Sequence, residues 1–149
     1  MRALSRLIAV LALSAGLPAL AAALPDCRTV AAGFGRDIDA AELAEALSAL
    51  NRDGRLPPRY LTKREAREAG WQPGRPLWQV PGLHGRSIGG DRFGNREGRL
   101  PRGDWREADL DYRGGRRGAD RLVFEPRRDG RRFVTVDHYE SFKEAPACR

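Results

Sequence analysis

Cysteine and histidine are scarce in this chain of 149 residues, with two of each: Cys27, Cys148, His84 and His138. Their spacing matches no metal-ligand pattern, so neither a structural zinc nor any other cofactor is expected. Beyond the N-terminus no apolar run is long enough to cross a bilayer. Internal repeats are absent, which argues against solenoids and propellers. The length suits one domain with a real core better than two.

The first residues read MRALSRLIAVLALSAGLPALAAA. Arg2 and Arg6 form a basic start, Leu7 to Leu13 an apolar run, and Ala21-Ala22-Ala23 a small-residue cleavage site. That order is a secretory signal peptide over residues 1–23, with an apolar run too short for an anchor. The mature chain is therefore expected to start near Leu24, as a single domain over 24–149, and to be secreted or periplasmic. In an oxidising compartment a Cys27–Cys148 disulfide is the default, and two free thiols are the weaker alternative. Closing so long a loop stabilises by roughly 4–5 kcal/mol in the chain-entropy model.

Lysine plus arginine number 27 against 20 acids, a formal net charge of +7; the signal peptide removes two arginines and no acid, leaving +5. A basic exported protein attracts polyanions such as nucleic acid, acidic glycans or anionic membrane. A solvated arginine-rich surface explains the same charge. The mature form is not expected to bind membrane, because its first long helix is acidic on its polar side. Nothing indicates an oligomer, so a monomer is expected.

Residues 24–36 read as an irregular entry segment. From Asp37 the pattern DIDAAELAEALSALNRDG is helical. Asp39 and Glu42 fit a capping box, Ile38 and Leu43 a hydrophobic staple, and Leu43, Ala46, Leu47 and Leu50 an apolar stripe. Gly54 and Pro57-Pro58 end it. TKREAREAG is a second, short helix capped by Thr62 and ended by Gly70. Residues 72–86 form a Pro- and Gly-rich loop, and its His84 is given no role. Strands are expected near 86–91, 105–110, 121–126, 131–136 and 140–143. Asp129-Gly130 suggests a two-residue type I′ turn, which pairs Arg128 with Arg131 and sets Arg121 opposite His138. Strand 105–110 alternates, with Trp105, Glu107 and Asp109 on one face and Ala108 and Leu110 on the other. Helices first and antiparallel strands after make an α+β domain.

The stretches LPPRYLTKREAREAGW at 56–71, RSIGGDRFGNREGRLP at 86–101, WREADLDY at 105–112, RRGADR at 116–121 and DHY at 137–139 occur in one order. With these motifs the chain resembles the barnase-like, guanyl-preferring secreted microbial ribonucleases over residues 56–143, and more loosely over the first helix. The resemblance implies N-terminal helices packed on a five-stranded antiparallel sheet, with RNA across the sheet. It departs from barnase in a shorter segment between Pro101 and Trp105, a longer hairpin at Asp129-Gly130, Gly94 in place of a serine, Arg116 in place of an apolar residue, and the two cysteines.

By the resemblance Glu107 is the general base and His138 the general acid, and Lys63, Arg117 and Arg121 bind phosphate. The residue chemistry agrees: a carboxylate ringed by Arg117 and Arg121 stays ionised, and histidine is the natural acid near neutral pH. Taken singly, Glu107 reads first as a cross-strand salt bridge and His138 as a core-edge histidine; the family's motifs together put function ahead. Asp109 is expected to hold Arg117 or Arg121 in place. The resemblance gives guanine to the loop GDRFGNREG: the Glu97 carboxylate accepts from the base's two N–H donors, while the backbone of Gly94, Asn95 and Arg96 meets O6. Phe93 and Tyr139 offer aromatic surface, and Asp91 is expected to hold the loop. RNA is the expected substrate, and an acidic barstar-like intracellular inhibitor is a further expected partner. A basic RNA-binding protein that kept the fold and lost turnover is the alternative reading.

Overall fold

Asp39 starts the longest helix. Its side chain accepts from the main-chain N–H groups of Ala41 and Glu42, and Gly54 closes the far end in the left-handed conformation (φ 69°) that glycine adopts without strain. The computed structural model describes residues 23–149, so the expected signal peptide lies outside the described residues except for Ala23. The elements are α1 (Cys27–Ala32), α2 (Ala40–Asp53), β1 (Tyr60–Leu61), α3 (Lys63–Glu68), a 3₁₀ turn (Leu77–Gln79), β2 (Ser87–Arg92), β3 (Arg106–Asp109), β4 (Arg121–Phe124), β5 (Arg132–Thr135) and β6 (Lys143–Ala145).

One sheet of six strands runs in the order β1 to β6. The expected sheet had five strands. The sixth is β1, whose two residues pair parallel to β2 through Tyr60↔Ser87 and Leu61↔Ile88. Pro57-Pro58 before it and the Thr62 cap after it leave three residues, of which Arg59 belongs to the turn closed by Tyr60 N to Pro57 O, so no strand pattern shows in the sequence. The other pairings are antiparallel.

Residues 24–36 are not irregular throughout. Asp26 caps α1 by accepting from Arg28 N, and Cys27 is bonded to Cys148. A six-residue helix is unstable alone; here the disulfide and the packing of Val30 and Ala31 against α2 supply what propensity does not. Asn51 Nδ2 donates to Cys148 O (2.9 Å) beside the bridge.

The α2 stripe (Leu43, Leu47, Leu50) is buried against Ala108, Leu110, Leu122, Phe124 and Val134, one face of the sheet. Each such leucine contributes roughly 1.5–3 kcal/mol. Trp105, Val123 and Phe133 pack on the opposite face, so the expected alternation along residues 105–110 is present. That second face carries the polar side chains described next.

The β4–β5 turn differs from expectation. The register is Phe124↔Arg132 and Arg121↔Thr135, so His138 does not lie opposite Arg121. The last closing bond runs from Glu125 N to Arg131 O (3.1 Å), which leaves five residues between the pair. Neither Asp129 nor Gly130 has the positive φ that a type I′ turn requires. The buried Arg132 guanidinium holds the wider loop by donating to Glu125 O (2.8 Å) and Arg127 O (2.5 Å).

Candidate active site

Strand β3 places Glu107 and Asp109 on the face away from α2, and the two carboxylates bind different groups. Glu107 Oε1 accepts from Lys63 Nζ (3.2 Å) and Oε2 from Tyr139 Oη (2.6 Å). Asp109, buried, binds Arg117 in a two-pronged pair, Nε to Oδ2 at 2.6 Å and Nη2 to Oδ1 at 2.7 Å. Arg121 Nε lies 3.0 Å from Asp109 Oδ1, and Arg121 Nη1 donates to Gly118 O and Asp120 O. Glu107 is therefore not ringed directly by arginines, as the sequence suggested. Asp109 gathers both of them, the task expected of it, while Lys63 and Tyr139 orient Glu107. The Asp109 bonds raise the Arg117 pKa above its usual range, so its charge is permanent. A carboxylate has about four lone-pair positions; Lys63 and Tyr139 use two at Glu107, so the group retains capacity to accept a further proton donor.

Lys63 is the first residue of α3. Thr62 caps the helix with a full capping box to Glu65. Asp91 Oδ2 accepts from Lys63 N (2.9 Å). Asp91 was expected to hold the 93–97 loop; it holds the start of α3 instead, because its side chain shares the face of its cross-strand partner Glu107. Asn95 holds the loop: its Nδ2 donates to Leu100 O (2.7 Å), its Oδ1 accepts from Leu100 N (3.0 Å), and its carbonyl accepts from Gly98 N (3.0 Å).

Phe93 stacks on Tyr139, with ring centroids 5.1 Å apart and planes 25° apart. The loop Gly94, Asn95, Arg96 and Glu97 lines one cleft of about 500 Å³ together with Glu107 and Tyr139. Glu97 is exposed there. Burial, and then the bond to Glu107, push the Tyr139 phenol well above its ordinary pKa, so it stays a neutral donor.

His138 is exposed beside Tyr139, ring centroids 5.0 Å apart. Both adopt positive φ (55° and 73°), as does Asn95 (44°), a conformation that strains non-glycine residues and persists only where surroundings impose it. Asp137 and Thr135 impose it here. Asp137 Oδ1 accepts from Thr135 Oγ1 (2.8 Å) and Ser141 N (2.9 Å), Oδ2 accepts from Ser141 Oγ (2.5 Å), and Thr135 Oγ1 accepts from Tyr139 N (3.0 Å). These two residues were not singled out in the sequence; the available signal was an aspartate four residues before a serine, which makes a local turn. His84 packs against Trp78, centroids 4.8 Å apart, away from the site.

Among the described residues Asp39, Glu42 and Asp111 bring three carboxylates together. Arg113 bridges Asp39 and Glu42 at 2.9 Å each, which accounts for the cluster as an ion-pair network. No described helix is long and apolar enough to cross a membrane.

A family model described as ribonuclease matches residues 44–146, a span that includes every residue of the cleft. The chain is 48% identical over 92 residues to a ribonuclease of Heyndrickxia coagulans, covering 59% of this chain and 81% of that protein. It is likewise 48% identical over 92 residues to the ribonucleases of Bacillus intermedius and Bacillus pumilus, covering 54% of each. The chain thus spans about half the length of those two relatives.

Proposed function

The chain belongs to the ribonuclease family of the bacterial barnase type, and on that footing we propose that it cleaves single-stranded RNA on the 3′ side of guanosine through a 2′,3′-cyclic phosphate. The observation that carries this reading is the shared cleft, which sets the Gly94–Glu97 loop beside Glu107 and Tyr139. Base recognition and proton transfer then act on the same nucleotide.

RNA carries its own nucleophile, so the enzyme supplies positioning, proton transfer and charge. Glu107 takes the 2′-OH proton as O2′ bonds to phosphorus. The P–O5′ bond breaks, and His138 protonates the departing O5′. Lys63, Arg117 and Arg121 stabilise the phosphoryl oxygens; Arg117 spends Nε and Nη2 on Asp109 and keeps Nη1 for substrate. In the second stage His138 takes a proton from water as the water oxygen bonds to phosphorus; the P–O2′ bond breaks, and Glu107 returns its proton to the departing O2′, leaving a 3′-phosphate. DNA lacks the 2′-OH and stays whole. None of these steps draws on a metal. Residues 1–23 would direct the enzyme out of the cytoplasm, consistent with its disulfide.

The test is a short synthetic RNA with one guanosine, incubated with the protein in EDTA and read by fragment mass. A single cut after that guanosine, leaving a cyclic phosphate, is the expected result. RNA that binds and stays whole overturns the catalytic reading in favour of a binding protein, and cuts at every base overturn the guanine assignment.

A further inference from the structure

A second concave surface lies at the edge of the sheet, between the end of α2, the 128–132 segment and residues 144–149. Arg132 alternates along β5 with Phe133, and it faces the side of Ala145 and Cys148 rather than the side of Glu107. It is 3% exposed. Its guanidinium reaches four main-chain carbonyls, those of Glu125, Arg127, Arg128 and Arg131, and no carboxylate. Its Nε has no hydrogen-bond partner among the described residues. Glu125 and Asp129 offset part of the cost of burying this cation without touching it, and a further anion nearby would relieve more of it. Burial lowers the Arg132 pKa to about 10, the mark of a charge held at a disadvantage.

Arg132 stands in the wall of a recess of about 810 Å³, within the size range of small-ligand sites. Leu24, Pro146 and Ala147 give it an apolar floor, and Leu24 is 49% exposed. Five arginines line it against two acids, Asp129 and Glu144. Arg127 takes Asp129 at 3.1 Å and also pairs with Glu125. Arg128 and Arg149 are exposed on the rim and join no ion pair among the described residues.

We propose that this recess is a second nucleotide-binding site for single-stranded nucleic acid, with a base on the Leu24–Pro146 floor and its phosphate between Arg128 and Arg149. Arginine forks bind phosphate in two-pronged fashion, and an apolar floor takes the face of any base. The recess shares no lining residue with the cleft of Glu107, so the nucleotide held here is not the one being cut. A longer strand that reaches both sites gains affinity by linkage. The site depends on no role given to Glu107 or Glu97, and a protein that bound RNA without cutting it would carry it equally.

The experiment is a titration of ¹⁵N-labelled protein with a thymidine deoxyoligonucleotide carrying one deoxyguanosine, a strand that lacks the 2′-OH and stays intact. Amide shifts are expected at 128–132 and 144–149, separate from shifts at 93–97. In the Arg128→Ala/Arg149→Ala variant the first set disappears and the second remains, and the slope of log affinity against log salt falls by about 0.7 for the one phosphate held there on a single strand. Ala147→Asp, an exposed change that leaves both arginines in place, is expected to abolish the same shifts. Shifts confined to 93–97 overturn the proposal. It is overturned equally if inorganic phosphate, or vesicles of anionic lipid, produce the 128–149 shifts as strongly as the oligonucleotide does.

Discussion

Asp91 and Glu107 face each other across β2 and β3, and each binds a different end of Lys63. Asp91 accepts from its main-chain N–H at 2.9 Å and Glu107 from its Nζ at 3.2 Å. The helix start is thereby fastened to the sheet beside Glu107. Asp91→Ala is expected to lower stability by about 1.5–3 kcal/mol, the worth of a hydrogen bond to a charged group. It should lower kcat more than it raises KM, because Lys63 loses its anchor and not its charge. Denaturant titration and steady-state kinetics measure the two effects; an unchanged kcat would show that Lys63 needs no such anchor.

Glu107→Gln keeps the shape of the side chain and one acceptor oxygen for Lys63, with its NH2 able to donate to Tyr139 Oη, while removing the base. Turnover is expected to fall about 10²–10⁴-fold, the usual worth of a positioned base, with RNA affinity changed only a few-fold. Activity within a few-fold of the parent would assign Glu107 to the ion pair with Lys63 alone.

Glu97 is exposed and makes no bond within the fold among the described residues. Its removal should therefore spare stability, with a change within about 0.5 kcal/mol. Guanine preference is expected to drop in Glu97→Ala by roughly 10–100-fold in the ratio of kcat/KM for guanosine over adenosine sites, because the base's two N–H donors lose their carboxylate. Strict preference in the variant would move base selection to the loop backbone.

Helices α2 and α3 were legible because their caps are local: Asp39, Gly54, Thr62 and Glu65 act within a few residues of themselves; α1 was not, because its six residues are held by the disulfide and by packing on α2. Glu42 shows the limit of that reading. It occupies the capping-box position, but its carboxylate turns to Arg113 and Tyr60, while Asp111 accepts from the Asp39 N–H it would have capped. The β4–β5 register was misread for a similar reason. Asp129-Gly130 looks like a tight turn until the buried Arg132 is seen to need carbonyls that only a wider loop provides. In the site, strand alternation correctly put Glu107 and Asp109 on one face, but alternation says nothing of which cation each one binds. That division depends on where α3 and the 113–120 loop arrive, contacts 8 to 44 residues away in the chain.

Cys27 and Cys148 are 121 residues apart and bonded. Cross-linking so long a loop restricts the unfolded chain and stabilises by roughly 4–5 kcal/mol in the entropy model. The bridge also holds α1, a six-residue helix with little stability of its own. Reduction is expected to lower Tm, with amide exchange rising first at residues 27–32. A Tm unchanged by dithiothreitol would show that packing of Val30 and Ala31 on α2 suffices.

Asp137 is expected to govern both the acid limb of stability and the placement of His138. Bonds from Ser141 and Thr135 hold its carboxyl down at about 2, below the ordinary value of 3.8. A depressed folded pKa contributes stability that is present above the unfolded value and is lost as pH falls through the folded one. The loss attributable to Asp137 therefore falls between about pH 4 and pH 2, and Asp137→Asn should flatten the stability profile in that window while leaving the slope above pH 5 unchanged. The same bonds impose the positive φ of His138 and Tyr139. Asp137→Asn is thus expected to reduce turnover at neutral pH as well, with wild-type affinity for RNA. A variant that matches the parent from pH 2 to pH 4 and keeps full turnover would mean that the β5–β6 loop holds His138 without Asp137.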